Sequence, residues 1–233
     1  MAIILETKSL KKNFFTKSAL RDISLTVESG RILGLMGPNG SGKTTLLKII
    51  AGLQKPTSGS FSVSGNPGGY ETKKVVSFLP DKNTLYPWMK AIDAIDFYTD
   101  FFEDFDRLKA LEMLTFMKLN QNDRVKAMSK GMIEKLNLTL TFSRKAKLFI
   151  LDEPLGGIDP VARERIVSTI IKTWTEDSAI IISTHLVNDV EKVFNDVAFI
   201  DEGEIILSGD AETLRSERKK SIDQLYLEIF ANK

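Results

Sequence analysis

The sequence predicts an α/β fold built around a mixed and largely buried sheet. Short runs of β-branched and apolar residues alternate with longer segments of helical spacing, which is the pattern of strands joined by crossover helices. Three of these runs are apolar at nearly every position, as strands covered on both faces are. The predicted strands cover residues 3–9, 23–28, 32–36, 61–63, 75–79, 148–151, 179–183, 197–201 and 204–208.

The other segments indicate how the sheet is connected. Residues 85–145 show helical spacing without an evident strand, so we expect a helical lobe inserted between core strands. Glu202 and Gly203 form a hairpin signal between the last two predicted strands, which predicts an antiparallel part beside the parallel core. Further helices are predicted over 161–174, 210–215 and 222–230.

Composition excludes several classes of function. The 233 residues carry 32 Lys and Arg against 31 Asp and Glu, so no charge excess draws the chain onto nucleic acid, and we expect no nucleic acid partner. The absence of cysteine excludes disulfides and thiolate metal sites, and a single histidine, His185, excludes a multi-histidine site. No apolar run approaches the roughly 20 residues of a membrane helix. We therefore expect an intracellular protein whose role at a membrane is peripheral.

The strongest motif is a phosphate-binding loop. Residues 37–44 read Gly-Pro-Asn-Gly-Ser-Gly-Lys-Thr and lie between an apolar strand and a helix, which is the context that the motif requires. The glycines let successive N–H groups point at phosphates, Lys43 reaches the β- and γ-phosphates, and Thr44 can ligate Mg²⁺. The alternative, an ordinary Gly-rich turn before a helix, is disfavoured by that context. The sequence therefore predicts a P-loop NTPase.

Two acidic residues end another apolar strand. Asp152 and Glu153 follow the run 148–151, at the edge where α/β sheets bind ligands. Asp152 can hold Mg²⁺ through water, and Glu153 can orient or deprotonate an attacking water. A solvated acidic turn is the alternative, and the presence of the phosphate loop makes it the less favoured one.

These motifs, in this order, resemble the nucleotide-binding subunits of ABC transporters over essentially the whole chain. The resemblance implies a RecA-like P-loop core and a single ABC ATPase domain over 1–233. It divides this domain into a core lobe of about 1–84 and 146–233 and a helical lobe of about 85–145. It also implies ATP and Mg²⁺ as cofactors and head-to-tail dimerisation with an identical or homologous ATPase subunit.

The segment Ser-Lys-Gly-Met at 129–132 stands at the signature position of that family, where a helix begins. In the family this segment of one subunit contacts the γ-phosphate held by the other. A hydroxyl, N–H groups and a helix amino end suit an anion, and a plain helix cap is the alternative. Asp159, at the end of Gly-Gly-Ile-Asp, resembles the loop that crosses the dimer axis. The implied signature residues are Ser129, Lys130, Gly131 and Met132.

Single residues take further roles by position. His185 follows a strand and resembles the histidine that hydrogen-bonds the γ-phosphate, with a structural histidine as the alternative. Phe14 resembles the aromatic that stacks on adenine, with Phe15 as the second choice, and both could equally be core residues. Asp81 replaces a glutamine that is usual in the family and could reach Mg²⁺ through water. The implied sites are catalytic Lys43, Glu153 and His185, nucleotide-binding Phe14, Asn39, Gly40, Ser41, Gly42, Lys43, Thr44 and Thr45, and metal-binding Thr44, Asp81 and Asp152.

Asp81 and the Ser-Lys-Gly-Met segment resemble a subgroup that serves drug, antimicrobial-peptide and toxic-peptide exporters. The resemblance implies an ATPase subunit on the inner face of the cell membrane that drives a separate integral membrane permease in export. The alternative is a soluble ABC-type ATPase that remodels a cytosolic assembly. An apolar cluster stands where the family docks a permease helix, and packing of the hinge between the lobes is its alternative role. The cluster consists of Leu85, Tyr86, Trp88 and Met89.

Overall fold

Among the residues that the structure describes, ten strands form one mixed sheet. The structure is a computed structural model that describes residues 2–231, apart from the side chain of Ala162. The strands are β1 (Ile3–Phe14), β2 (Lys17–Glu28), β3 (Ile32–Met36), β4 (Ser58–Val63), β5 (Asn66–Pro67), β6 (Val76–Leu79), β7 (Leu148–Asp152), β8 (Ala179–Thr184), β9 (Asp196–Asp201) and β10 (Glu204–Asp210). Their order across the sheet is β5-β4-β1-β2-β10-β9-β3-β8-β7-β6. The predicted α/β class is confirmed.

Helices cover the sheet and fill the segment predicted to be helical. They are α1 (Lys43–Ile50), α2 (Thr72–Val75), α3 (Ala91–Phe101), α4 (Arg107–Phe116), α5 (Lys130–Phe142), α6 (Pro160–Thr173), α7 (Val187–Val190), α8 (Ala211–Arg218) and α9 (Ile222–Phe230), with short 3₁₀ turns at Val125–Ala127 and Glu191–Val193. Residues 85–145 hold α3, α4 and α5, and the described residues there contribute only isolated bridges, not strands.

Parallel pairing brings four strand ends to one edge of the sheet. Met36 at the end of β3 is level with Thr184 at the end of β8, and Asp152 of β7 is level with Ser183 of β8. Leu79, the last residue of β6, pairs with Leu151. The residues that follow these strands therefore meet at the same carboxyl edge, although they are far apart in sequence.

The two faces of the sheet are covered by separate apolar clusters. In β3, Ile32 and Met36 face the larger cluster, which includes the helices of 85–145. Leu33 and Leu35 face the smaller cluster, which includes β1, β2 and α1. This alternation follows from the two-residue period of a strand, and burial on both faces explains why the sequence of β3 is apolar throughout.

The antiparallel part agrees with the prediction in place and differs from it in length. β9 and β10 form the predicted hairpin. β1 and β2 also pair as a hairpin, and each is 12 residues long, well beyond the predicted 3–9 and 23–28. The outer half of this hairpin is mostly exposed, so it lacks the alternation of apolar and polar residues that marks a half-buried strand.

Two short helices were not expected from the sequence. Residue 75, predicted to begin a strand, instead ends α2, and β6 begins one residue later. The side chain of Thr72 fixes this turn because its hydroxyl donates to the Gly69 carbonyl oxygen over 2.7 Å. The second short helix, α7, follows His185. Each is a single turn of four residues, too short to give a periodic signal.

Candidate active site

A cavity of about 330 Å³ opens at the carboxyl edge of the parallel strands. It lies where the residues after β3, β6 and β7 meet. Its size is that of a small-molecule site. The residues around it are Phe14, Lys17, Ala19, Asn39, Gly40, Gly42, Lys43, Thr44, Thr45, Asp81 and Glu153.

Steric contacts explain the glycines of the phosphate loop. A Cβ atom on Gly37 would lie 2.2 Å from the Ile200 carbonyl oxygen, and one on Gly42 would lie 2.7 Å from the Ala19 carbonyl oxygen. Gly42 also has a φ of +114°, which L side chains rarely adopt. The loop therefore packs closely against β9 and β2, and its N–H groups together with the amino end of α1 form a place for an anion.

Lys43 is buried at the centre of this loop. Its Nζ atom donates to the carbonyl oxygens of Gly37 and Pro38 over 2.7 and 3.2 Å, and it lies 3.5 Å from Oε1 of Glu153. Burial lowers the pKa of Lys43, and the negative charge of Glu153 opposes that shift. The structure thus brings the predicted lysine and the predicted general base to the same point.

Ser41 is placed differently from the other predicted nucleotide-binding residues. It does not border the cavity in the part of the chain that the structure describes. Instead its hydroxyl lies against Gly37, where an added Cβ would approach Oγ to 2.8 Å. Its Oγ is buried and has no hydrogen-bond partner among the described residues. Ser41 therefore supports the loop from behind.

Asp152 is almost completely buried beside the loop. The Ser183 hydroxyl donates to its Oδ1 atom over 2.6 Å, while Oδ2 is buried with no hydrogen-bond partner among the described residues. Burial raises the pKa of Asp152, and the hydroxyls of Ser183 and Thr44 act in the opposite direction. A buried carboxylate oxygen without a partner is a candidate ligand for a cation.

Glu153 and His185 form a direct pair. Nδ1 of His185 lies 2.8 Å from Oε2 of Glu153, and because an ionised carboxylate only accepts hydrogen bonds, the imidazole donates. Glu153 has a φ of +52°, and its N–H group donates to the Ser183 hydroxyl over 3.0 Å. The strained turn after β7 therefore aims the carboxylate at Lys43 and at His185 together.

Phe14 lies at the cavity and Phe15 does not. Phe14 ends β1, is partly exposed and borders the cavity, with Lys12 Nζ 4.9 Å from its ring centroid. Phe15 is fully exposed and has a φ of +48° in the hairpin turn. The alternative that both rings are core residues is wrong for this structure. Of these two rings, Phe14 is the one that borders the cavity.

A family comparison accounts for this arrangement. The family model described as "ABC transporter" matches residues 20–156, which is more than half of the chain and includes the phosphate loop, Asp152 and Glu153. The chain belongs to the ABC transporter family. It is an ATP-binding ATPase subunit of that family.

Curated relatives agree with the assignment. The lantibiotic transport ATP-binding protein of Streptococcus pyogenes is 31% identical over 206 residues, 88% of this chain and 90% of its own length. The linearmycin resistance ATP-binding protein of Bacillus subtilis is 30% identical over 221 residues, 91% of this chain and 71% of its own length. The chain spans only 61% of the length of another curated ABC transporter ATP-binding protein, from Nostoc.

Solved structures share the fold. A structure of the ATP-binding subunit of an ABC transporter has a TM-score of 0.87 at 24% identity, and the match covers 97% of this chain and 98% of that one. A dimeric structure of a bacterial ABC transporter cassette has a TM-score of 0.80 at 21% identity, covering 89% and 98%. Within residues 2–231, no helix of this ABC ATPase has both the length and the apolarity needed to cross a membrane.

The signature residues of this ABC ATPase lie at another place in the chain. Ser129 caps α5, and its Oγ accepts from the Met132 N–H group over 3.2 Å. None of the four signature residues borders the cavity among the described residues. Lys130 reaches toward the predicted dimer loop, since a Cβ on Gly157 would lie 2.3 Å from its Nζ. The N-cap geometry observed here agrees with a helix cap and is also the geometry that offers N–H groups to an anion.

Several residues around the cavity of the ABC ATPase were not identified from the sequence. Lys17 and Ala19 border the cavity because the β1–β2 hairpin folds over the loop. Ser183 holds both Asp152 and the Glu153 backbone. The strand register places Ser183 opposite Asp152, and no local motif marks it. A pairing prediction for β7 and β8 is the one signal that could have found it.

Proposed function

We propose that this ABC ATPase lies at the inner, cytoplasmic face of the cell membrane, pairs head to tail with a second ATPase subunit and drives a separate permease in export. The contact of Glu153 with both Lys43 and His185 at the phosphate loop is the observation that carries the catalytic part. Export is supported by relatives named for lantibiotic transport and linearmycin resistance.

Different residues of the chain have different roles in phosphoryl transfer. The loop N–H groups hold the phosphates, with Asn39, Gly40, Gly42 and Thr45 at the rim, and Lys43 supplies positive charge at the β- and γ-phosphates, where charge increases during the reaction. Glu153 orients the attacking water and accepts its proton. In this proposal His185 holds Glu153 and contacts the γ-phosphate, and Phe14 stacks on the adenine.

Mg²⁺ fits the oxygen donors at the edge of the cavity. Asp152 presents a buried Oδ2 without a hydrogen-bond partner in the described part of the chain, and Thr44 and Asp81 border the cavity beside it. Hydroxyl and carboxylate oxygens are the donors that this hard cation prefers. We assign Thr44 as a ligand and Asp152 and Asp81 as ligands through water. When bound, the ion neutralises negative charge on the phosphates.

The positions of the signature residues support the proposed head-to-tail dimer. The amino end of α5 lies away from the chain's own cavity, yet Ser129 and its neighbours present the N–H groups and hydroxyl that suit a phosphate. A second copy, turned head to tail, brings this end to the γ-phosphate of the first copy. Asp159 then lies at the contact between the two copies.

The lobe division of the domain has support in the packing. In this proposal residues of about 85–145 form a helical lobe, and those of about 1–84 and 146–233 form the core lobe. One apolar cluster joins Ile95, Ala110 and Leu136 of the helices to Leu151 and Ile180 of the sheet. The two lobes thus share a core, as parts of one domain do.

Tyr86 and Trp88 are the permease-docking residues in this proposal. Their rings stack at a centroid distance of 5.7 Å and are 57% and 63% exposed, while Leu85 and Met89 are buried. Hinge packing therefore accounts for Leu85 and Met89 only. Exposed aromatic rings on a fixed base are typical anchors of a protein interface.

A groove at the end of α3 offers the permease a second apolar surface. It has a volume of about 360 Å³ and is bordered by Tyr70, Phe101 and Phe102, with Lys73 and Lys74 of α2 on one side. Tyr70 and Phe101 are largely exposed. Glu103, Asp104 and Arg144 complete the border, so both charges surround the rings. Aromatic side chains of a permease helix fit this chemistry.

The dimer is tested with a variant that binds ATP without hydrolysing it. Glu153→Gln leaves the loop and Asp152 unchanged, so we expect size-exclusion chromatography to show a dimer with MgATP and a monomer with ADP. Adding Ser129→Arg introduces a bulky side chain at the opposite nucleotide and should abolish that dimer. A double variant that dimerises as well as the single one would overturn the head-to-tail arrangement.

A further inference from the structure

Arg163 forms hydrogen bonds to two separate segments, the predicted dimer loop and the segment that carries His185. It lies in the first turn of α6, and its Nε donates to the Ile158 carbonyl oxygen over 2.9 Å. Its NH1 donates to Oδ2 of Asp189 over 2.6 Å. A guanidinium is planar and rigid, so two bonds from one fork fix the relative positions of both partners.

One end of this bridge is the predicted dimer loop, Gly156 to Asp159. Ile158 is buried in the larger apolar cluster, and the Asp159 carbonyl oxygen accepts the Arg163 N–H group over 3.0 Å. On the other side, Gly157 lies against the ammonium of Lys130. The loop is therefore held between the signature helix α5 and Arg163.

The other end of the bridge is the segment that carries His185. Asp189 lies in α7, four residues after His185, and Val187 and Val190 anchor this helix in the core. The Leu186 N–H group donates to the Thr184 hydroxyl over 2.8 Å. Because α7 begins only two residues after His185, we expect a displacement of α7 to move the His185 ring and its contact with Glu153.

The far side of the same segment is held by the C-terminal helices. Arg215 of α8 donates to the Glu191 carbonyl oxygen, and the Glu191 carboxylate accepts the Asp223 N–H group at the start of α9 over 3.0 Å. Those contacts tie the segment to its own core lobe. The side-chain hydrogen bonds of Arg163 tie the same segment to the predicted dimer loop.

We propose that Arg163 and Asp189 are positioning residues, which hold the segment that carries His185 in a fixed position relative to the dimer loop. Through this link, contact with the partner cassette affects the pair of Glu153 and His185. This inference rests on the head-to-tail dimer proposed above. The ion pair is well suited to the role because its side chains are only 25% and 32% exposed, so solvent screens it less than a surface pair.

The test measures kcat and KM for ATP hydrolysis in the full chain. Arg163→Ala and Asp189→Ala should each lower kcat, and the decrease for Arg163→Ala should be about tenfold. KM should change by less than about twofold in both variants, because the bridge acts on the chemical step. The double variant should be no slower than Arg163→Ala alone, since both changes break one link. Arg163→Lys should restore part of the rate, because it keeps a charge opposite Asp189 and loses the fork.

Arg107→Ala is the matched control. It removes another Arg–Asp pair, to Asp96 over 2.9 Å in the helical segment, and should leave kcat unchanged. A kcat for Arg163→Ala equal to that of the wild type, or an equal loss in the Arg107→Ala control, would overturn the bridge. Additive losses in the double variant would also overturn it. Asp189→Asn, which keeps the shape of the side chain, repeats the test if Arg163→Ala fails to fold.

Failure of this inference can be told from failure of the proposed dimer. In the Glu153→Gln background, Arg163→Ala should still dimerise with MgATP because the loop and the signature residues remain. If Glu153→Gln alone gives no dimer, the head-to-tail proposal fails. If it dimerises and Arg163→Ala retains full kcat, only the bridge fails.

Discussion

The cavity edge and the signature end of α5 are the two proposed halves of one composite site, and they are built in different ways. At the cavity edge, strand register gathers Lys43, Asp152, Glu153 and His185 within one chain. At the signature end, a capped helix terminus presents Ser129 away from that cavity. One chain thus gathers the predicted nucleotide-binding residues by itself, whereas the proposed closed site needs a second copy.

Lys43→Ala should produce the largest effect, because it removes the cation at the cavity edge where transferred charge accumulates. We expect ATP hydrolysis to be abolished in the purified chain. Lys48→Ala, a change on the same helix α1, is the matched control and should retain activity. If Lys43→Ala keeps most of the ATPase activity, the cavity edge is not the hydrolytic site, and the proposed division of the site between the cavity edge and the signature end is wrong.

His185→Ala should give the next largest effect. Loss of the 2.8 Å contact leaves Glu153 without its histidine partner, so kcat should fall roughly ten- to hundredfold with little change in nucleotide affinity. Turnover kinetics and nucleotide titration measure the two quantities. An equal loss of ADP affinity, or a lower melting temperature, would instead indicate a structural histidine.

Glu134→Gln tests, through the free energy of unfolding, whether the carboxyl group of Glu134 near the signature end of α5 is buried. Burial raises the pKa of Glu134 in α5 to about 7, from an ordinary value of 4.5. The folded chain thus keeps this proton at a pH where the unfolded chain has lost it, and the free energy of unfolding falls as the pH rises from about 4.5 to about 7. The loss from this group is at most about 3 kcal/mol.

Denaturant unfolding at pH 4, 6 and 8 measures this effect. Glu134→Gln should match the wild type at pH 4 and be the more stable protein at pH 8. Glu112→Gln, a change at an exposed position of α4, is the control and should show no such difference. If the free energy of unfolding changes with pH in the same way for Glu134→Gln and the wild type, burial does not raise the pKa of Glu134.

Trp88→Ala should have the smallest effect on hydrolysis, since Trp88 belongs to neither half of the site. We expect ATPase activity within about threefold of the wild type and an unchanged melting temperature, because the ring is exposed. Pull-down of the permease from a detergent extract should weaken. If Phe101→Ala weakens the pull-down and Trp88→Ala does not, docking belongs to the groove at the end of α3.

Local motifs were enough to predict much of the molecule. The phosphate loop, the acidic pair after β7 and the apolar strands β3, β7 and β8 are short contiguous patterns, each enforced by local geometry or by burial on both faces. The hairpin of β9 and β10 was predicted from two turn residues. These features depend on neighbouring residues in the chain, so the sequence by itself determined them.

Other features were decided only by the tertiary structure. The extension of β1 and β2 depends on backbone pairing between exposed residues, and the placement of Ser41 behind the loop depends on Gly37. Ser183 and Asp152 meet because two parallel strands share a register. Arg163 and Asp189, 26 residues apart, meet across two helices. Such contacts leave no periodic trace in the sequence because strand register and helix packing, not local spacing, bring their atoms together.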